Sequence, residues 1–148
     1  MKSIQIKPIG FVERQSANEV DKDRSLISRI IINKNLTDAL DGIEDFSHIY
    51  IIFWMEKIKD TSYLHHPGKT KDSKPIGIFA TRAPIHPNPI GLTLVELIKH
   101  EANVLWVRGL DAYDGTPVLD IKPYPDWEHG ECIVVDDFRV PKWLKKKS

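Results

Sequence analysis

The sequence has a single cysteine, Cys132, among its 148 residues, and no apolar run as long as a membrane-spanning helix. One cysteine cannot form an internal disulfide, which is typical of a reducing compartment. Crossing a bilayer needs about 20 consecutive apolar residues, so we expect no membrane partner. The N-terminal region also lacks the apolar core of a signal peptide. These absences predict a cytoplasmic protein in which Cys132, inside an apolar run, serves packing.

The chain also lacks an excess of charge of either sign. It carries 21 basic and 21 acidic residues, so its formal net charge is zero. Because nonspecific binding to nucleic acid scales with the number of phosphates neutralised, this balance argues against a strongly basic nucleic-acid binder. Two basic clusters, residues 68–74 and 141–148, could contact RNA phosphates or be ordinary solvated lysines.

Motifs for phosphate and metal chemistry are missing as well. The sequence has no glycine-rich phosphate loop and no paired cysteines for zinc. His65 and His66 are adjacent, and extended backbone directs neighbouring side chains to opposite sides. No Ser-His-Asp or Cys-His arrangement follows from the spacing. We therefore expect no metal site.

Short β-type segments separated by turns dominate the chain. Segments rich in β-branched and aromatic residues predict strands over residues 3–13, 26–33, 48–58, 76–81, 92–99, 104–109, 118–122 and 131–135. A short helix is predicted over residues 36–40, with Asn35 as its N-cap and Gly42 at its end. The absence of alternating strands and helices argues against a doubly wound sheet, and the pattern predicts a mainly β barrel or curled sheet. We expect one domain over residues 1–140 and a basic tail over residues 141–148.

A proline-rich loop lies between two β-type runs in residues 76–96. Prolines fix φ, remove backbone donors and push the preceding residue towards extended backbone. Three of them fall within six residues: Pro84, Pro87 and Pro89. The resulting stiff loop carries three polar side chains, Arg82, His86 and Asn88. It forms either the wall of a ligand site or a surface connection that happens to be rich in proline.

Each polar group of this loop has a functional and an ordinary interpretation. Arg82 could hold a ligand carboxylate with two parallel hydrogen bonds, or form a surface ion pair. Asn88 could bind a polar ligand or stabilise its own turn. His86 could be a base or a phosphate contact, but a solvent-facing side chain is the commoner arrangement.

Three aspartates lie in residues 109–127. Asp111 falls at a strand end, where a carboxylate could bind an amine or ribose hydroxyls. Asp114 precedes Gly115 and is expected to serve a turn. Asp120 could face either Lys122 or the site.

Two long motifs in order carry a resemblance to a known family. GIFATRAPIHPNPIGL and GLDAYDGTPVLDIKPY resemble the TrmO family of S-adenosylmethionine-dependent tRNA methyltransferases, also called the TsaA-like family. PIGFV, GIEDFSHIYIIFW and the dipeptide His66-Pro67 match its pattern too. The likeness covers essentially the whole chain and is closest to the shorter archaeal-type members.

The resemblance implies a single-domain β-barrel with short helices rather than a Rossmann sheet, and a homodimer. It also implies S-adenosylmethionine at the barrel edge, near the subunit interface. The implied reaction is methylation at N6 of threonylcarbamoyladenosine, the modified base beside the anticodon in certain tRNAs. The positions implied to contact the cofactor are Arg82, Leu92, Asp111, Asn88, Ile90, Gly91, Met55 and Glu56.

The chain also departs from the family pattern. His86 stands where the motif usually has arginine, and Ala83 stands where it has serine. Bacterial tRNA-modifying members carry an additional C-terminal segment implicated in substrate recognition. Two alternatives therefore stay open: a methyltransferase for a small metabolite or protein, and an S-adenosylmethionine-binding module without turnover. The catalytic base is unknown, with Asp114 and Asp120 as candidates.

Overall fold

The computed structural model describes residues 1–14, 25–56, 64–65, 74–124 and 137–144. Eight strands occur in these ranges: β1 (Gly10–Glu13), β2 (Ile27–Ile32), β3 (His48–Trp54), β4 (Leu64–His65), β5 (Ile76–Gly77), β6 (Ile90–Glu101), β7 (Val104–Arg108) and β8 (Pro117–Tyr124). The helices described are three short 3-10 helices, over Lys34–Leu40, Ile43–Asp45 and Ile78–Ala80. The protein is therefore mainly β.

Six strands form a closed barrel in the order β1-β2-β7-β6-β3-β8, and each neighbouring pair is antiparallel. The ring closes where Gly10 of β1 pairs with Val118 of β8. β4 and β5 form a separate two-stranded sheet. Closure leaves no unpaired edge within the barrel. This architecture confirms the predicted barrel and excludes a Rossmann sheet.

Alternation along the strands fills the barrel interior with branched apolar side chains. β3 alternates between half-buried and buried residues, and Ile49, Ile51 and Phe53 are the buried ones. Leu105 and Val107 of β7 are fully buried in the same cluster. Branched side chains suit a pleated surface with one buried face, and this pattern holds the core together.

Several predicted boundaries need correction. The strand expected over residues 3–13 begins only at Gly10. The strand expected over residues 76–81 ends at Gly77, because the Thr81 amide and hydroxyl both donate to the Ile78 carbonyl and close a 3-10 turn. The first 3-10 helix has Asn33, not Asn35, at its N-cap position, and no side chain caps it.

Other predictions hold. The hairpin of β6 and β7 is present, and Gly42 ends the first helical segment with a positive φ of 85°. The strand predicted over residues 131–135, Cys132 and His66 lie outside the described residues. In the described part of the chain, no helix has the length and apolar character to span a membrane.

Candidate functional site

A cavity of about 750 Å³ opens at the end of the barrel where β3 ends and β6 and β8 begin. Antiparallel pairing creates this junction, because Trp54 pairs with Ile90 and Phe53 with Val118. The backbone amide of Met55 extends the pairing by donating to the Pro89 carbonyl at 2.8 Å. Residues from the proline-rich loop and from the β7–β8 connection complete the walls.

The fold brings together seven of the eight residues implied by the family resemblance. The seven that line the cavity are Met55, Glu56, Arg82, Ile90, Gly91, Leu92 and Asp111. Asn88 is exposed and is not among the lining residues. Its carbonyl accepts from the Ile90 amide at 2.7 Å, so its backbone stabilises the turn into β6.

Arg82 connects the proline-rich loop to β6. Its Nη2 donates to the Leu92 carbonyl at 2.5 Å, while the side chain stays exposed at the cavity. A guanidinium carries five N–H donors in a planar fork, so this bond leaves donors for a ligand carboxylate. The hydrogen bond to Leu92 orients the Arg82 cation. It gives Arg82 a structural role in addition to any role in ligand binding.

Asp111 is one of two acidic residues, with Asp114, that the β7–β8 connection places in the cavity. The Thr93 hydroxyl donates to Asp111 Oδ1 at 2.5 Å, from a strand 18 residues away along the chain. Within the described residues, Oδ2 of Asp111 has no hydrogen-bond partner. One oxygen is therefore held by the barrel, and the other can accept from an ammonium or a hydroxyl.

His86 is half-buried and lines the cavity, so the prediction of a solvent-facing imidazole was wrong. Its Nε2 donates to the Thr81 carbonyl at 3.2 Å, since a carbonyl can only accept. The Pro84 carbonyl accepts from the His86 amide at 2.9 Å. These short-range bonds turn the imidazole inward, a result that sequence spacing does not reveal.

Asp114 and Asp120, the two candidate bases, lie in different surroundings. Asp114 lines the cavity, and its Oδ1 accepts from the Arg14 backbone amide at 2.7 Å. Asp120 is not a lining residue, and its oxygens bond to the Ile121 amide at 2.8 Å and to Lys122 Nζ at 3.2 Å. Of the two, the fold brings only Asp114 to the site.

Gly91 determines how closely β6 approaches the cavity wall. A Cβ at this position would lie 2.3 Å from ring atoms of Phe53, which is itself 4% exposed in the core. No side chain other than hydrogen fits there without moving Phe53. The glycine therefore lets the strand pass over the Phe53 ring.

Thr93 and Arg14, which hold acidic residues of the site in place, were not predicted. Thr93 faces the barrel interior between Gly91 and Val95, and this polar residue at an inward position of an alternating strand was the available signal. Arg14 donates from Nη1 to the Ala112 carbonyl at 2.8 Å and so anchors the cavity-lining segment that contains Asp114. No local pattern pointed to Arg14, because its contacts span about a hundred residues.

The chemistry of the lining fits a zwitterionic ligand with an apolar part. Arg82 contributes a cation, Asp111 and Glu56 contribute carboxylates, and Ile90 and Leu92 contribute partly exposed apolar surface. No group of three potential metal ligands occurs among the described residues. The arrangement can orient a ligand that carries both charges.

A closed antiparallel barrel with a mixed-charge cavity at its mouth defines a class of ligand-binding β domain distinct from the doubly wound nucleotide-binding folds. Residues 13–127 match the family described as the tRNA-methyltransferase O N-terminal domain. The chain belongs to this TrmO family.

Individual proteins and a solved structure also resemble this chain and support the family assignment. A protein of Methanothermobacter thermautotrophicus, called a probable S-adenosyl-L-methionine-binding protein, is 44% identical over 126 residues, 82% of this chain and 90% of that protein. The mouse tRNA (adenine(37)-N6)-methyltransferase is 38% identical over 130 residues, 80% of this chain. The crystal structure of TrmO from Pseudomonas aeruginosa superposes with a TM-score of 0.71 at 29% identity, over 93% of this chain.

The coverage of these relatives differs. The chain spans nearly the full length of the archaeal protein, but 30% of the mouse enzyme and 61% of the Pseudomonas TrmO chain. The match therefore concerns the barrel domain that the relatives share.

Proposed function

We propose that the protein is an S-adenosylmethionine-dependent methyltransferase that methylates N6 of threonylcarbamoyladenosine beside the anticodon of tRNA. The observation that carries the proposal is the cavity at the barrel mouth, where Arg82 and Asp111 are both oriented by hydrogen bonds to β6. Membership of the TrmO family and the activity for which the mouse relative is named support the same reaction.

The lining residues suit the cofactor group by group. A cavity of about 750 Å³ falls within the usual range of small-molecule sites. Arg82 would hold the carboxylate of the methionine part, and Asp111 with Glu56 would hold the ammonium and ribose hydroxyls. Ile90 and Leu92 would cover the adenine with apolar surface.

Bound S-adenosylmethionine supplies a methyl group on a positively charged sulfur. The residues contribute by positioning, because an in-line displacement depends on the alignment of donor and acceptor. As the bond from the acceptor nitrogen to the methyl carbon forms, the bond from that carbon to sulfur would break and leave a neutral thioether, and the nitrogen must release a proton. Asp114 is the remaining candidate to take that proton, since it lines the cavity and Asp120 does not.

The apolar outer surface of β6 supports a homodimer. Ile90, Leu92, Leu94 and Ile98 are exposed along this strand, and the first three alternate with inward-facing residues. We define these four residues as the β6 outer face. Exposed apolar rows on a globular domain mark interaction surfaces, and a second copy of the chain would place its own strand beside the cavity.

The dimer can be tested with a charge on the β6 outer face. Ile98→Glu should shift the protein towards the monomer in sedimentation velocity, because Ile98 belongs to the face but does not line the cavity. Ile27→Glu on β2 is the matched control, since Ile27 is a similarly exposed isoleucine on another strand. A monomeric wild-type protein would contradict the dimer.

The reaction is tested by incubating the protein with methyl-labelled S-adenosylmethionine and tRNA from cells that lack the N6 methyl group. The expected result is labelled N6-methyl-threonylcarbamoyladenosine after nuclease digestion, and no label with Asp111→Asn. Cofactor binding without transfer to any tRNA pool would contradict the proposal. That result would support the second candidate, a binding module without turnover, which the name of the archaeal relative favours.

A further inference from the structure

Phe79 is an exposed aromatic side chain beside the cavity. It lies in the 3-10 helix Ile78–Ala80, directly before the cavity-lining residues Thr81 and Arg82, and is 81% exposed. The proposed cofactor contacts leave this ring unused, because Phe79 does not line the cavity. The ring is therefore open to contact with a molecule that approaches the cavity.

The backbone under Phe79 is held firmly. Ile78 is 3% exposed and anchors the helix in the protein interior. The Ile78 carbonyl accepts from the Thr81 amide at 3.0 Å and from the Thr81 hydroxyl at 2.9 Å. With its neighbour buried and the turn closed by two bonds, the Phe79 ring is presented outward from a fixed position. Such preorganisation reduces the entropy lost on binding.

His86 continues the aromatic surface into the cavity. The rings of Phe79 and His86 have centroids 5.8 Å apart and are tilted by 50°. The bond from His86 Nε2 to the Thr81 carbonyl fixes the imidazole, and His86 lines the cavity while Phe79 does not. The two rings therefore form a continuous aromatic surface that runs from solvent at Phe79 to the cavity at His86. We call Phe79 and His86 the aromatic platform.

We propose that the aromatic platform of Phe79 and His86 stacks an unpaired nucleobase of the RNA substrate and guides it to the cavity. The inference rests on the proposed function and specifies how the RNA is held. Aromatic side chains bind single-stranded RNA by stacking, and every base offers a face for it. Stacking also suits a chain with zero net charge, because it does not depend on neutralising phosphates.

Direct RNA binding tests the platform without relying on catalysis. The probe is a short, unstructured, fluorescently labelled oligoribonucleotide titrated with the full chain in an anisotropy assay. Phe79→Leu should weaken binding by about tenfold, within the usual effect of losing one stacked base. Phe79→Trp should bind as well as the wild type or better, since it keeps an aromatic face. Equal binding by wild type and Phe79→Leu would overturn the platform.

A matched control separates stacking from general loss of exposed aromatic area. Tyr124 is 45% exposed and lies at the far end of β8 from the cavity-lining Pro117. Pro117 and Tyr124 are seven residue steps apart along the strand, which corresponds to about 23 Å. Tyr124→Leu should leave RNA affinity unchanged. If it weakens binding as much as Phe79→Leu, the effect is not specific to the platform and the proposal fails.

Salt dependence and oligomeric state distinguish stacking from phosphate contacts and from self-association. Because stacking releases no counterions, Phe79→Leu should lower affinity at every salt concentration and leave the slope of log affinity against log salt unchanged. A changed slope would show that Phe79 acts through phosphate contacts. A changed sedimentation coefficient for Phe79→Leu would show that a second copy covers the ring. Either result would overturn the platform.

Different experimental results would contradict the aromatic platform and the proposed function. If wild-type protein methylates tRNA and Phe79→Leu does so with an unchanged KM for tRNA, the platform is wrong and the reaction stands. If the oligoribonucleotide binds and Phe79→Leu weakens it, but no tRNA is methylated, the platform stands and the reaction is wrong. Affinity for S-adenosylmethionine should be equal in both proteins.

Discussion

The Thr93 hydroxyl donates to Asp111 Oδ1 at 2.5 Å and joins β6 to the segment that follows β7. Thr93 is 7% exposed and faces the barrel interior, whereas Asp111 opens to the cavity. The acidic wall of the site is therefore oriented from within the core. A carboxylate placed in this way loses little freedom when it binds a ligand.

Removing the Thr93 hydroxyl should weaken cofactor binding. Thr93→Val keeps the side-chain shape and removes the donor to Asp111, so we expect a loss of about 1 kcal/mol, or about fivefold in affinity. Isothermal titration calorimetry with S-adenosylmethionine measures it. Thr37→Val is the matched control, because the Thr37 hydroxyl bonds the Lys34 carbonyl in an exposed helix away from the cavity. Equal affinity in both variants would contradict an orienting role for Thr93.

Replacing Arg82 should lower affinity for the cofactor. Arg82→Ala should cost about 1.5–3 kcal/mol of binding free energy through loss of a charged hydrogen bond. Arg82→Lys should restore little of it, because an ammonium cannot bond Leu92 and a carboxylate with one planar fork. The measurement is calorimetric titration at constant ionic strength. Unchanged binding with a lowered melting temperature would mean that Arg82 acts only through its bond to the Leu92 carbonyl.

Two glycines near the site should respond differently to alanine. Gly91→Ala places a Cβ 2.3 Å from the Phe53 ring and forces a core side chain to move. We expect about 1–3 kcal/mol of destabilisation from this overpacking. Gly77→Ala should be nearly neutral, because a Cβ there meets nothing within 4 Å and its φ of −65° suits any residue. Urea unfolding measures both, and similar stabilities would show that Phe53 adjusts freely.

His100 and Glu44 form a pair whose contribution to stability depends on pH. His100 is 14% exposed, and its ring nitrogens contact Glu44 Oε2 at 3.0 Å and the Ala102 carbonyl at 2.8 Å. Both partners are acceptors, so only the protonated imidazole donates to both. Desolvation lowers the pKa of His100, but the hydrogen bonds to Glu44 and Ala102, with the nearby charges, outweigh it and raise the pKa above 6.5. Backbone and His100 hydrogen bonds lower the pKa of Glu44 below 4.5.

These two directions define a pH window. A raised pKa means that His100 stabilises the fold below its unfolded value of 6.5, and this stabilisation is lost as pH rises through the folded value. A lowered pKa means that Glu44 stabilises above 4.5, and this is lost as pH falls. The pair should therefore stabilise most between these values. Urea unfolding should show that His100→Gln is more destabilising at pH 5.5 than at pH 8.5.

A second substitution provides the control for this pH effect. In a Glu44→Gln background, the loss of stability caused by His100→Gln should differ less between pH 5.5 and pH 8.5. The reason is that no carboxylate is then present to favour the charged ring. The double-mutant cycle at each pH isolates the coupling. A coupling that is equal at both pH values would contradict the assignment.

Local sequence patterns predicted the barrel strands well and their ends less well. Alternation and β-branched content located β2, β3 and the β6–β7 hairpin, because these signals come from each strand's own residues. The strand expected over residues 76–81 was wrong after Gly77, where the Thr81 hydroxyl competes for the Ile78 carbonyl. Short-range hydrogen bonds of this kind are weak sequence signals.

The amino-acid sequence by itself determined the class of fold, the proline-rich loop and the motifs that place the chain in its family. Those features depend on backbone preference and on residues close together along the chain. Only the tertiary structure decided that Thr93 holds Asp111, that Arg14 anchors the segment containing Asp114, and that Asp120 lies away from the cavity. Barrel closure brings these distant residues together, and no local preference encodes which of them will meet.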